Sequence, residues 1–368
     1  MTSSGQHGLV TAGAAKNAVA FVTAEDELRQ LGISFRLIWN TYGSVDYRNP
    51  LSGLRYLVRR IMPQPDRGLL FWALFSRQLD FIVIMCASSV YRTPRRYALA
   101  RAIARLRGAD FILLFVNCGY NIGSLSEAAL AGRGGARKGA RARALVAARD
   151  VTLAAISPAA CRDVQDVKMV GFAPGIAPSQ MTDELPEDPP MFLNIGNYSH
   201  RKGRDLFLDV ALRCLEKNPE MRFCWVGKNV PRPEDVPEIA ARGVAGNFIF
   251  TKTKSPPFDL IRRSSGLIFT SRSEAFGLAV SETMAMQRRV FCFEGTGGSY
   301  QVGDAGVVFA RFDTDAMAGA VCAHAARPAR DRVDTAALER YRQDFTPRAF
   351  ARRVSGLLDG VQQDRGPD

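Results

Sequence analysis

Two stretches of unbroken apolar residues constrain this chain more than any other feature: Phe81 to Cys86 and Phe111 to Val116. A strand with one face in water alternates apolar and polar side chains. A run without alternation must be covered on both faces, which is the condition of a parallel sheet between two layers of helix. The intervening sequence reads accordingly. Thr93-Pro94 supplies a cap and a first-turn proline, and the helix they open runs to Arg107 before Gly108. Upstream, Ala14 to Gln30 reads as a helix closed by Gly32, followed by a strand from Ile33 to Trp39. Downstream, Val151 to Ile156 is a third buried strand, and Ser157-Pro158 opens another helix. Strand and helix in strict alternation specify an α/β fold with parallel pairing.

The alternation stops between Pro174 and Pro190, where six of the chain's Pro and Gly residues cluster, and then restarts. Strands are expected at Met191–Ile195, Arg222–Val226, Gly266–Thr270 and Arg289–Phe293, with helices at Arg204–Glu216 and Val280–Met286. A length of 368 residues suits two domains at roughly 150 residues each. The expected division is residues 1–175, a proline-rich linker at 176–190, a second domain at 191–345, and a C-terminal helix and tail at 346–368 packing back on the first domain. Each domain is expected to be doubly wound, with ligands at the carboxyl ends of its strands and a cleft where the two sheets face. Only twelve residues precede Gly13, and Gly8-Leu9-Val10-Thr11 makes a poor strand, so the first strand is expected to be missing or short.

Charge is distributed unevenly. The formal net charge is +13, yet residues 1–170 hold 23 Lys/Arg against 11 Asp/Glu, and residues 171–368 hold 26 against 25. The excess points to an anionic partner of the first domain. Arg92, Arg95, Arg96, Arg101, Arg105 and Arg107 form one cluster, and Arg133, Arg137, Lys138, Arg141 and Arg143 a second. Such surfaces suit an anionic membrane as well as a soluble acceptor. No aromatic-interleaved basic motif suggests nucleic acid. The longest charge-free stretch, Phe111 to Ser126, is 16 residues, short of the roughly 20 of a spanning helix. Met1-Thr2-Ser3-Ser4-Gly5 lacks the layout of a signal peptide. Seven cysteines without a CxxC pair fit a reduced, cytoplasmic chain. The three histidines, His7, His200 and His324, show no metal-ligand spacing.

Three segments carry chemistry. In Ser271 to Ala285, Glu274 sits in a turn between an apolar strand and a helix, and Gly277 permits close backbone approach. The amides of Ala275, Phe276, Gly277 and Leu278 lie where a helix start presents unpaired N–H groups to an anion. Glu282 follows eight residues after Glu274, about two turns on, and a carboxylate there suits vicinal hydroxyls. In Phe192 to Leu206, Gly196, Asn197, Arg201 and Lys202 form a basic loop able to neutralise a diphosphate. In Glu294 to Ser299, Gly297 and Gly298 follow a strand and open the backbone to an anion or a sugar.

Together these segments resemble the retaining, GT-B-fold glycosyltransferases of family 4. The matching residues are Gly196…Lys202-Gly203, Val226-Gly227, Glu274-Ala275-Phe276-Gly277-Leu278…Glu282, and Gly297-Gly298…Val302…Asp304-Ala305-Gly306. In the first half the likeness rests on the turn at Gly13 and on the strand–helix rhythm up to Ala173-Pro174-Gly175. The resemblance implies a nucleotide-sugar donor held by the second domain and a glycan or lipid-linked acceptor met by the first. It implies Glu282 on the ribose, Lys202 on the diphosphate, and Glu274 near the reacting carbon of the transferred sugar. No metal and no cofactor are implied, since basic residues and helix dipoles carry the leaving-group charge. The expected location is the cytoplasm, at the inner face of a membrane. Three departures stand out. Asn197 replaces the usual arginine, Gln301 replaces the usual glutamate after the glycine pair, and Asn117-Cys118-Gly119-Tyr120-Asn121 lacks the acceptor-side histidine. They leave open a second reading, a catalytically impaired GT-B scaffold that acts by binding.

Overall fold

The computed structural model describes residues 6–12, 20–39, 73–85, 94–116, 135–161, 164–174, 176, 181, 184–252 and 257–363. The chain divides into two compact units, residues 1–175 with 347–368, and residues 176–346.

The first unit is built on a six-stranded parallel sheet: β1 (Gln6–Ala12), β2 (Ile33–Trp39), β3 (Phe81–Met85), β4 (Asp110–Phe115), β5 (Val151–Ala155) and β6 (Lys168–Met169). The spatial order is β2-β1-β3-β4-β5-β6. β3 and β4 are buried along their whole length, as their uninterrupted apolar sequence demands. Helices α1 (Glu25–Gln30), α2 (Pro94–Leu106) and α3 (Gly135–Val146) connect the strands. Tyr97, Ala100, Ile103 and Ala104 of α2 pack on Ile82, Ile84, Phe111 and Leu113. The expectation of a missing first strand is overturned. β1 lies inside the sheet, with Gly8 opposite Phe35 on one side and Phe81 on the other. Its weak propensity is compensated by ladders to two neighbours, and strand preference is chiefly a matter of such context. The helix expected after Ser157-Pro158 is a single turn, Pro158–Ala160.

The second unit holds β7 (Met191–Ile195), β8 (Arg222–Val226), β9 (Phe248–Thr251), β10 (Gly266–Phe269), β11 (Arg289–Phe293) and β12 (Val307–Phe309), all parallel, in the order β12-β11-β10-β7-β8-β9. Chain order reverses between β7 and β10, which makes that gap the topological switch point where such sheets bind ligands. Helices α4 (Arg204–Lys217), α5 (Phe258–Arg263), α6 (Leu278–Ala285), α7 (Gly297–Val302), α8 (Thr314–Ala325) and α9 (Thr335–Asp344) flank it. Its core is aromatic: Phe192, Phe207, Phe223, Trp225, Phe248, Phe291 and Phe293 are buried together. Each contributes about 2–3 kcal/mol by leaving water.

Two expectations about connections change. The segment before β7 is no free linker over residues 184–190. Arg288, fully buried, donates to the carbonyls of Glu184 and Arg262, and Arg332, equally buried, binds the carbonyl of Glu187 (3.2 Å) and the carboxylate of Asp188. Prolines advertise a hinge, but these arginines, 104 and 145 residues beyond their partners Glu184 and Glu187, fasten it to the second unit. The last helix, α10 (Pro347–Gln363), belongs to the first unit. Phe350, Val354, Leu357 and Leu358 form its buried stripe at helical spacing, and Phe350 meets Phe21 edge to face at 5.1 Å.

Candidate active site

The switch point of the second sheet is assembled from glycines pressed against backbone. Gly196 directly follows β7 with φ 152°, and its carbonyl accepts from the Trp225 indole at 2.8 Å. A Cβ on Gly227 would stand 1.8 Å from that carbonyl oxygen. Gly203, at φ 72°, starts α4 so close to β10 that a Cβ would stand 2.0 Å from the Thr270 carbonyl. Thr270 returns the contact, its hydroxyl lying 2.9 Å from the Gly203 carbonyl, while the buried Asn194 amide donates to the Thr270 hydroxyl at 3.0 Å. The loops after β7 and β10 are therefore one rigid body.

That body brings the expected cations and carboxylate together. Lys202 is 14% exposed, its stem laid across Gly196, and its ammonium pairs with Glu274. Arg201 donates to the Ser273 carbonyl at 2.9 Å and stands 3.8 Å from the same Glu274 oxygen. Arg272 forks onto Asp205 at 2.7 and 2.6 Å and donates to the His200 carbonyl, tying the Glu274 loop to the start of α4. That bidentate bond holds the Asp205 carboxyl below its usual range. Asn197 is exposed and bonds to no other described side chain.

Gly277 caps α6 with φ 91°, where a Cβ would meet the Phe269 ring at 2.8 Å. Leu278 and Ala279 follow in the first turn of the helix, and the Ala275 and Phe276 side chains turn into the core. Glu282 lies in α6, buried to 9% exposure, with no hydrogen bond to any described residue. Burial alone pushes its carboxyl up to about 7.

The glycine pair packs against the backbone, and the Gly297 amide is used differently from the expectation. A Cβ on Gly297 would stand 2.2 Å from the Ala275 carbonyl oxygen, and one on Gly298 2.7 Å from the Phe269 ring. Their lack of side chains lets α7 lie against the Glu274–Gly277 backbone. The Gly297 amide is engaged there, donating to the Glu274 carbonyl at 2.8 Å, so it is not free for an anion. Gly13, Asn117 and Asn121 lie outside the described residues.

Sequence reasoning overlooked Asn194, Thr270 and Ser281. Their signal was present: each is a small polar residue within or directly beside an apolar segment, and such a residue, when buried, must have a partner. The pair Asp313-Thr314-Asp315 has the look of a metal ligand set. However, Asp313 caps α8 through the Ala316 amide at 2.9 Å, and Asp315 pairs with Arg213. Among the described residues no group of His, Cys, Asp and Glu is placed to hold a metal.

Comparison with known proteins agrees with this layout. The family model described as "Glycosyl transferases group 1" matches residues 189–326, which lie inside the second unit. No curated protein sequence matches the chain significantly. Solved structures match nearly end to end at low identity. A glycosyltransferase from Rickettsia africae is 14% identical with TM-score 0.64, covering 98% of this chain and 99% of its own. HepE from Anabaena, solved in complex with UDP, is 14% identical with TM-score 0.60, covering 97% and 100%. WaaG, a glycosyltransferase involved in lipopolysaccharide biosynthesis, is 14% identical with TM-score 0.61, covering 96% and 99%. Two parallel sheets, the switch point between β7 and β10, and these likenesses lead to one conclusion: the chain has the α/β fold of the GT-B glycosyltransferases.

Proposed function

We propose that the protein transfers a sugar from a nucleotide-sugar donor to a glycan or glycolipid acceptor with retention of configuration and without a metal. The observation that carries this reading is the set Lys202, Glu274 and Glu282 at the switch point of the second sheet, beside the start of α6. The ribose hydroxyls supply the donors that Glu282 lacks. The diphosphate takes Lys202 as its counter-ion, with Arg201 in support and the α6 dipole behind it. As the bond from the anomeric carbon to the diphosphate breaks, negative charge grows on the leaving oxygen, where these cations stand. The acceptor hydroxyl oxygen bonds the anomeric carbon on the face the diphosphate leaves and gives up its proton to the departing phosphate oxygen, and Glu274 contacts the sugar between them. UDP in the HepE complex and lipopolysaccharide biosynthesis for WaaG support this donor and acceptor chemistry.

On the acceptor side, the first unit offers an anionic membrane a mixed surface. Leu99 and Leu106 lie on the outer face of α2 at 49% and 87% exposure. Arg107 binds the carbonyls of Leu74 and Ser76, which places the exposed Leu74 and Phe75 nearby. Arg95, Arg105, Arg141 and Arg143 are exposed and make no ion pair with another described residue. Exposed apolar side chains among unpaired cations suit the interface of a bilayer. Among the described residues no helix is long and apolar enough to cross one.

The test is a thermal-shift screen of UDP-, GDP- and ADP-sugars followed by a transfer assay. A donor that binds should raise the melting temperature with the logarithm of its concentration. Failure of every donor to stabilise the protein would reject the reading. The binding-only alternative draws on Asn197, whose exposed amide brings no charge to the diphosphate. Turnover abolished by Glu274→Ala, with donor binding retained, would exclude that alternative.

A further inference from the structure

Gln301 was singled out by the sequence only as a departure. In the structure it is fully buried on α7 and bonded at both ends of its amide. Its nitrogen faces three carbonyls, those of Phe276 at 2.5 Å, Gly277 at 3.2 Å and Gly297 at 3.3 Å. Its oxygen accepts from the Ser281 hydroxyl, itself buried on α6. The orientation is fixed by chemistry, because carbonyls can only accept and the side of residue 301 turned toward them must donate. On its far side α7 is held by Arg340, whose guanidinium reaches the Gln301 carbonyl at 3.3 Å.

We propose that Gln301 is a positioning residue that sets the Glu274 loop and the start of α6, and that its neutral amide makes this pin one that does not titrate. Phe276 and Gly277 are the last two residues before α6. Their carbonyls are turned toward α7 and held there by one side chain. The same α7 holds the Glu274 carbonyl through the Gly297 amide. With Gly297 and Gly298 in contact with that backbone, residue 301 is the polar pin of an otherwise steric clamp. A glutamate, the residue expected here from the resemblance, fits the volume but not the chemistry. Ionised, it would set a carboxylate oxygen against three carbonyl oxygens. Protonated, it would donate to one of them. This chain's glutamine thus replaces a titrating pin with a permanent donor.

The assignment rests on the donor-site reading for its activity readout, so the experiment includes one that needs no substrate. Gln301→Glu is compared with wild type from pH 5.5 to 8.5 by hydrogen exchange of residues 274–281 and by kcat and KM of transfer. At pH 8.5 the variant should exchange faster than wild type in that segment alone. Its kcat should fall by about tenfold or more, as misplacement of a reacting group predicts, with KM changed far less. Both defects should shrink toward pH 5.5, as the new carboxyl takes up its proton, while wild type shows neither. Exchange and kcat ratios to wild type that stay flat across pH overturn the proposal. Localised, pH-dependent exchange in a protein that transfers no sugar would uphold the pin and reject the donor-site reading instead. Should Gln301→Glu fail to fold, Ser281→Ala removes only the hydroxyl partner. It should loosen the same segment, and unchanged exchange there overturns the proposal.

Discussion

The two units share one architecture and use their cations in different proportions. In the second unit most arginines are turned inward or paired: Arg288 is fully buried on carbonyls, Arg332 is fully buried on the Glu187 carbonyl, the Ser265 hydroxyl and the Asp188 carboxylate, and Arg213, Arg222, Arg263, Arg272 and Arg340 meet carboxylates, while Arg204, Arg242, Arg327 and Arg342 are exposed without an ion pair to any described residue. In the first unit Arg101 pairs with Asp150 and Arg107 binds carbonyls, but Arg95, Arg105, Arg141 and Arg143 are displayed without an ion pair to any described residue. Net charge counts ions without saying which ones are available. A near-neutral unit can hold an anion with one well-set lysine, and a strongly basic unit with displayed arginines addresses a surface.

The contrast breaks first at Lys202. If the second unit neutralises its donor through that residue, Lys202→Ala should lower transfer by about 10²–10³ while leaving the fold intact by circular dichroism. A loss below tenfold would mean that the displayed charges of the first unit matter more than the contrast allows.

Glu282 sharpens the comparison through stability. Its folded carboxyl is raised to about 7 by burial, above the ordinary 4.5. The folded state therefore holds the extra proton between those values, and stability falls as pH rises through that window. Glu282→Gln should be more stable than wild type by roughly 2–3 kcal/mol at pH 8 and equal to it at pH 4. Urea melts at the two pH values read this directly. An equal difference at both would show that the site's polarity, not its charge, is at issue.

A smaller effect is expected at Glu274. It pairs with the Lys202 ammonium, the group proposed to hold the diphosphate. Glu274→Gln should therefore bind UDP tighter, by about tenfold, even as transfer is lost, with calorimetry as the measurement. Weaker UDP binding would mean that the carboxylate organises the lysine rather than competing for it. The smallest change belongs to the first unit. Arg105→Ser should cost about 1 kcal/mol of affinity for anionic vesicles and leave UDP affinity unchanged. Loss of UDP binding in that variant would abolish the separation of roles.

The parts of the molecule legible in sequence are those set by local pattern. The runs Met191–Ile195, Arg222–Val226 and Arg289–Phe293 are strands at the expected residues, because a parallel core strand is defined by its own apolar length. The placement of Lys202 and Glu274 in loops was legible because those loops follow such strands, and that of Glu282 because the helix carrying it opens at the second loop. What stayed hidden was non-local. His7, Gly8 and Thr11 make β1 look weak until β2 and β3 flank it. Gly297 looked like an open loop until the Ala275 backbone closed on it. Gln301 looked like a lost charge until three carbonyls surrounded it.

The grip of Arg288 and Arg332 on the segment before β7 also decides where the chain can be divided. A fragment cut at the last proline, beginning at Met191, would leave two buried guanidiniums facing missing partners at Glu184, Glu187 and Asp188. Arg288 would keep the carbonyls of Arg262 and Met286, and Arg332 the Ser265 hydroxyl, but each charge-assisted bond lost costs about 1.5–3 kcal/mol, a large share of the stability of an ordinary domain. The second unit should therefore be expressed from Ile176 to Thr346, and limited proteolysis should spare residues 184–190 for all their prolines. The helix from Pro347 onward has its partner at Phe21, so the first unit has to be recovered from two separate stretches of chain.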